Sequence, residues 1–285
     1  MLTQKQIKTE KETLEGLWGA IVGFKQIAGA DVRKIRVKVL QNRDYLAGIA
    51  QLYRVVEFSY KKQLAKDKFA ALAWPKKEKS GLAMAFLSAN TGLYGPIVKR
   101  TFDLFIKDLE SNKEAKAVIV GRIGQRLLKG VGIENYTYFD FPDRNFTYEQ
   151  AKKMTDFLAN FSRVRIYHGF FENTSHQVGT VTDISDSIQE LLKFEEERKV
   201  RWIFEPSLFE IVDFFEGEIF TSLFIQALYE GRLAKSASRM VMLNQAEENV
   251  SGALRKFSWE QRRWHHRLLN RRQLATLAGM NLWSV

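Results

Sequence analysis

Apolar residues in this chain fall into two long stretches of helical spacing that flank a middle built of short apolar runs. In the later stretch Leu208, Ile211, Val212, Phe215, Ile219 and Leu223 recur at intervals of three and four, the stripe by which a helix meets a neighbour. Glu205, Pro206 and Ser207 open it, with proline in the first turn, where a missing N–H is harmless. In the earlier stretch Ile7, Leu14, Leu17, Ile21, Phe24, Ile27, Ala28, Val32, Ile35, Val39 and Leu46 keep the same spacing. Proline in a helix interior costs about 3 kcal/mol, and all four prolines, Pro75, Pro96, Pro142 and Pro206, lie in the middle of the chain. Roughly 70 residues before Pro75 and nearly 80 after Pro206 are therefore free to be helical. About 75 helical residues make a rod on the order of 110 Å long, which cannot fold back inside a globule of this size.

Gly16, Gly19, Gly23 and Gly29 interrupt the first stretch, each weakening a helix by up to about 1 kcal/mol relative to alanine. Small residues at near-helical spacing imply close approach of another helix, so the two long helices are expected to pack together. Charge supports the pairing. Residues 25–79 hold 14 basic and 5 acidic side chains, whereas residues 205–254 hold 3 and 8. Antiparallel packing sets these lengths side by side, because each joins the middle region at its Pro75 or Pro206 end. Part of the formal charge of +11 is then used internally.

The middle alternates short apolar runs with helical patterns. Strands are predicted at Leu82 to Ser88, Lys116 to Gly121, Tyr136 to Phe141, Arg163 to Gly169, Val178 to Asp183 and Val200 to Phe204. Helices are predicted at Ile97 to Leu109, Gly124 to Lys129, Glu149 to Phe161 and Ser185 to Glu197. The fold class is thus α/β: a Rossmann-like sheet domain, residues 80–204, inserted into a long antiparallel coiled coil formed by helices within residues 1–79 and 205–285.

Several kinds of chemistry drop out. There are no cysteines, which excludes disulfides and thiolate sites. Four histidines remain for a metal, and the adjacent His265 and His266 diverge by about 100° on a helix, so no metal or other cofactor is expected. The opening MLTQKQIKTEKETLEG lacks the apolar core of a signal peptide, which points to the cytoplasm, and no apolar run approaches the roughly 20 residues needed to span a bilayer.

The turn SANTGLYG, Ser88 to Gly95, follows an apolar run and precedes a helix, the order used by nucleotide sites. It has no lysine until Lys99, and neither it nor the later GRIG, Gly121 to Gly124, gives the GxGxxG spacing. Gly92 and Gly95 are read as letting the chain reverse. Asp183 with Asp186, and the run Glu195, Glu196 and Glu197, have no convergent partners and read as a solvated face. Tyr167, His168, Ser175 and His176 lack anything to orient a base toward Ser175. Past Leu254 the chain is strongly basic, with Arg255, Lys256, Arg262, Arg263, Arg267, Arg271 and Arg272 against Glu260, and with Trp259, Trp264 and Trp283 among them. Such an end suits nucleic acid or the carboxylates of a protein partner, and composition does not separate the two.

The order of motifs does. A long helix, a strand with Ser88, Gly92, Leu93 and Gly95, a later Tyr167 and Phe170 with Gln177, then Glu205-Pro206-Ser207, then Ser238, Arg239, Met240, Ala246 and Asn249, and a terminal NRRQ together resemble the gamma subunit of F-type rotary ATP synthases over nearly the whole chain. Ile7, Leu14, Lys25, Ile27, Ala28, Ala30 and Arg33 align without gaps to that family's opening helix. Ala89, Asn90, Tyr94, Leu243 and Glu247 depart from it, as do Phe24, Gln26 and the short terminus.

The resemblance implies a non-catalytic central shaft that turns inside a ring of alpha and beta subunits and meets the epsilon subunit and the membrane c-ring. It implies peripheral attachment at the cytoplasmic face of the membrane, with no nucleotide bound by this chain and no nucleic acid. It places Arg272 and Gln273 against a beta-subunit loop, and Lys25 and Arg33 against an acidic lever segment of beta. The alternative is a basic coiled-coil protein that binds nucleic acid.

Overall fold

The structure, a computed structural model, describes residues 4–66, 81–192, 204–205 and 207–282. It divides into two compact units, one of Ala30–Arg239 and one of Met1–Gly29 with Met240–Val285. Helix α1 spans Gln4–Lys66 and helix α6 Leu208–Leu282, so each contributes to both units.

Within Ala30–Arg239 the sheet has five strands in the order β3-β2-β1-β4-β5. These are β1 (Leu82–Leu87), β2 (Lys116–Val120), β3 (Thr137–Phe139), β4 (Arg163–Phe171) and β5 (Gln177–Asp183). Pairs β1–β2, β1–β4 and β2–β3 are parallel, with Ala85 opposite both Val118 and Ile166, while β5 returns antiparallel to β4. Strand β1 reads as one unbroken apolar run because both of its faces are covered. Ala83, Ala85 and Leu87 pack with α4 (Tyr148–Leu158), α1 and α6, and Met84 and Phe86 pack with α2 (Ile97–Ser111) and α3 (Arg122–Val131). Helix α5 (Ile184–Leu192) follows β5 directly.

Local chemistry sets the ends of these elements. Thr147 and Gln150 form a reciprocal capping box that starts α4 at Tyr148, one residue before the predicted Glu149. Helix α3 stops at Gly132, whose φ of 78° lets its N–H and that of Ile133 reach back to Lys129 and Leu128. The β4–β5 hairpin turns on Asn173, whose Oδ1 accepts the N–H groups of Ser175 and His176.

The two long helices run antiparallel within this unit. Asn42 donates to Ser222 O and Gln226 Oε1, Arg43 pairs with Glu230 at 2.7 Å, and Tyr53 donates to Glu216. From Ile219 to Ser238 α6 lies between α1 and the sheet, which is why Thr221, Ser222, Ser236 and Ser238 are buried with its apolar residues. In the other unit Lys25 pairs with Glu247 at 2.7 Å, as the charge pattern anticipates. The glycines behave otherwise. A Cβ built on Gly16, Gly19 or Gly23 meets nothing within 4 Å, so these positions are not points of close helix approach. Close approach occurs instead at Gly231, where a Cβ would stand 3.3 Å from His168 Cβ. The predicted strand at Val200 to Phe204 lies mostly outside the described residues, and Phe204 is not in a strand.

Candidate functional site

In an open parallel sheet, ligands bind beyond the carboxyl ends of the strands, where successive connections depart in opposite directions. Here that place is the end of β1, between β2 and β4, and it is the SANTGLYG turn. A phosphate held there would need free backbone N–H groups at the start of a helix. Those of α3, which lie beside the turn, are taken by the chain itself. Among the first amides of α3, Arg122 N donates to Asn90 Oδ1 at 2.9 Å, Ile123 N to Ala89 O at 2.8 Å and Gly124 N to Ser88 Oγ at 2.9 Å. The contact is tight enough that a Cβ on Gly124 would stand 2.7 Å from Ser88 Oγ.

The turn's own donors converge on a carboxylate. Asp143 accepts from Asn90 N at 2.9 Å and from Thr91 N and Thr91 Oγ1, each at 2.9 Å. This is the geometry of an anion nest with the anion supplied from the loop after β3. Of the two glycines read as chain reversers, only Gly95 has a positive φ, 63°, and Leu93 shares that conformation at 65°.

Helix α6 covers the remaining side of the turn. Lys235 Nζ donates to Ser88 O at 2.6 Å, and Arg239 donates to Gly92 O at 2.8 Å and Leu93 O at 3.2 Å while its guanidinium lies 4.0 Å over the Tyr94 ring. Burial pushes the Lys235 ammonium down to about 8, with Asp143 opposing that shift and Arg232 and Arg239 adding to it. The space left among Ser88, Gly121, Asp143, Arg232 and Lys235 is about 30 Å³, enough for one water molecule and too small for a nucleotide. The turn is thus a docking point for the C-terminal helix. Sequence reasoning missed Asp143 and Lys235; the signal for Lys235 was a basic residue among the apolar and small residues Leu233, Ala234, Ser236 and Ala237.

The other candidates resolve as structural groups. Asp183 and Asp186 both hold Arg163, at 2.6 and 2.9 Å. His176 Nδ1 lies on Glu172 Oε2 at 2.8 Å, so its ring is held by that carboxylate. His168 is buried between Gly169 O and Thr182 Oγ1, and burial lowers its pKa, keeping it neutral. Among the described residues no group of acidic or histidine side chains could hold a metal ion, and the run Glu195 to Glu197 lies outside them.

Of the residues singled out for partner contact, Lys25 has its cation on Glu247, while Arg33, Arg272 and Gln273 are exposed. Within the unit that holds the basic end, Trp259, Arg263, Trp264, Arg267 and Arg271 line a groove with Ile7, and the Arg263 guanidinium lies 5.1 Å from the Trp259 ring centre. No helix among the described residues is long and apolar enough to cross a membrane.

Known proteins are similar to this chain in sequence and in fold. A family model described as ATP synthase matches residues 5–265. The ATP synthase gamma chain of Chloroherpeton thalassium is 21% identical over 304 residues, covering 99% of this chain and 98% of its own length. That of Mycoplasma mycoides subsp. mycoides is 22% identical over 286 residues, covering 98% and 99%. Among solved structures, a chain of the central stalk and c-ring of Tetrahymena thermophila mitochondrial ATP synthase has a similar fold, with a TM-score of 0.54 at 14% identity over 80% of this chain and 99% of that one. With the family match running from the start of α1 through the whole sheet and into α6, the chain belongs to the ATP synthase gamma-subunit family.

Proposed function

We propose that this chain is the central rotor shaft of an F-type ATP synthase, a subunit that performs no chemistry and carries rotation between an ion-driven c-ring and the catalytic ring of alpha and beta subunits. The observation that carries the reading is the family match over residues 5–265, joined to a sheet whose ligand position is filled by the chain's own Asp143 and α6. A shaft must hold its helices to its sheet while it turns. The Lys235 and Arg239 contacts with the turn at residues 88–95 supply that hold.

In this reading the shaft acts by presenting different faces to each catalytic site, biasing beta subunits among conformations of unequal nucleotide affinity. Arg272 and Gln273 meet a beta-subunit loop, and Arg33 faces an acidic segment of beta. Lys25 does so in exchange with Glu247, its partner within this chain. Exposed ion pairs are worth about 0 to 1 kcal/mol each, which suits contacts that must form and break as the shaft turns. The epsilon subunit and c-ring bind the sheet domain, and the whole is held peripherally at the cytoplasmic face of the membrane. The relatives lend no support to the nucleic-acid reading.

Co-purification tests the assignment. The tagged chain, isolated from its host under gentle solubilisation, is expected to bring alpha, beta and epsilon subunits in fixed ratio, with ATPase activity. Recovery of the chain alone, or with nucleic acid, would overturn it.

A further inference from the structure

Three elements meet in a cleft of about 470 Å³ on the Ala30–Arg239 unit. Lys38, Gln41, Asn42 and Tyr45 of α1 form one wall, Phe146 and Tyr148 form the other, and Glu218, Ser222, Ile225 and Tyr229 of α6 form the floor. At one end Tyr45 and Tyr148 reach in from opposite walls and donate to the two oxygens of Glu218, at 2.8 and 2.6 Å. Both phenols are half exposed, so their rings face solvent beside a carboxylate.

Neutral donors do not cancel a negative charge. Burial and the adjacent Glu218 push Tyr45 up to about 12 and raise Tyr148 as well, so both phenols stay protonated and serve as donors to the carboxylate. Among the described residues no ion pair is formed with it. Its surroundings add to that charge: residues 208–218 contain Glu210, Asp213, Glu216 and Glu218 and no lysine or arginine, on a chain whose formal charge is +11. Lys38 marks the opposite end of the cleft, its ammonium 5.7 Å from the Tyr229 ring centre. It stands seven residues from Tyr45, about 10 Å along the helix, so a cation entering the cleft is repelled from one end and drawn to the other.

We propose that Tyr45, Tyr148 and Glu218 are a receptor for an arginine side chain presented by a neighbouring protein. A guanidinium is planar, stacks on phenol rings and pairs with a carboxylate through a fork of N–H donors, and this end of the cleft offers both features together. The carboxylate is already oriented by two hydrogen bonds from different elements, so little freedom is lost when the cation arrives. The inference does not depend on the rotor reading; it names a partner chemistry, and that partner belongs to whatever assembly the chain joins.

The test is photo-cross-linking of the full chain in its own cells. A benzophenone amino acid replaces Gln41, an exposed residue of the cleft wall that leaves the receptor intact. The expected adduct is a protein segment with an arginine beside the cross-linked position. Its yield should fall roughly tenfold with Glu218→Gln, the usual consequence of removing one charge of a close pair, and much less with Tyr148→Phe, which keeps the ring. Should Glu218→Gln prevent accumulation, the mapped arginine is changed to glutamate in the partner and the yield read against the unaltered chain. Adducts on segments without arginine, the absence of any adduct, or a yield indifferent to these charges would overturn the proposal. An arginine-bearing adduct on a protein outside the ATP synthase would uphold it and count against the rotor reading.

Discussion

Lys235 Nζ on α6 lies 2.6 Å from the carbonyl oxygen of Ser88, the first residue after β1, so a helix nearly 150 positions away in sequence closes the end of the central strand. The ammonium is largely desolvated there, and its proton comes off near pH 8 in the fold against 10.5 for an ordinary lysine. Between those values the unfolded chain binds more protons than the folded one, so raising pH adds stability. Unfolding in denaturant should show a gain on the order of 1 to 2 kcal/mol from pH 8 to pH 10, present in the natural chain and absent in Lys235→Met.

His168 gives a slope in the acid range. Burial lowers its pKa below 6.5, so as pH falls past 6.5 the unfolded chain takes up a proton that the folded chain refuses. Stability is therefore lost on acidification, by up to about 1.4 kcal/mol per pH unit from this group. The loss between pH 6.5 and 5.5 should be smaller in His168→Gln, measured as the difference between two denaturant midpoints.

Leu93 holds a left-handed conformation, φ 65°, with 73% of its surface exposed, so it carries backbone strain with little packing in return. Leu93→Asn should raise stability by about 1 kcal/mol, because asparagine tolerates this region. An unchanged or lower melting temperature would show that the Leu93 side chain contributes packing.

The glycines divide into two classes with opposite outcomes. Gly16→Ala, Gly19→Ala and Gly23→Ala should each stabilise α1 by about 0.5 to 1 kcal/mol, since the added methyl meets open space. Gly121→Ala should destabilise by more than about 2 kcal/mol, because its φ is 91° and its Cβ would stand 2.9 Å from the Ala89 backbone. Thermal unfolding of the four single variants separates the classes.

Those glycines also show where a sequence reading reaches its limit. Apolar periodicity marked both long helices and all five strands, because burial on one or both faces imposes its period on the residues themselves. Charge blocks anticipated the antiparallel pairing seen at Arg43 with Glu230 and Lys25 with Glu247. Spacing could not say which small residues touch another element: Gly16, Gly19 and Gly23 are open while Gly231 is close to His168. Nor could it show that Asp143 would fill the nest at Asn90 and Thr91, since that contact joins residues about 50 positions apart through loop conformation alone. Missing lysine and glycine spacing argued against a phosphate loop at residues 88–95, and only the structure shows Asp143 and Lys235 bonded to that turn.

Arg272 and Gln273 are exposed, so Arg272→Ala with Gln273→Ala should leave the chain's melting temperature unchanged within about 0.5 kcal/mol of stability. Ion-coupled ATP turnover of the assembled enzyme should fall. Unchanged turnover would remove these two residues from the partner interface.

The central claim is rotation, and it can be watched directly. The alpha and beta ring is fixed to a surface, a gold rod is attached to this chain on its sheet domain, and ATP is supplied. Unidirectional stepping of the rod that stops when ATP is withdrawn is the predicted result; a rod that stays still or only diffuses while the same molecules hydrolyse ATP would contradict the account.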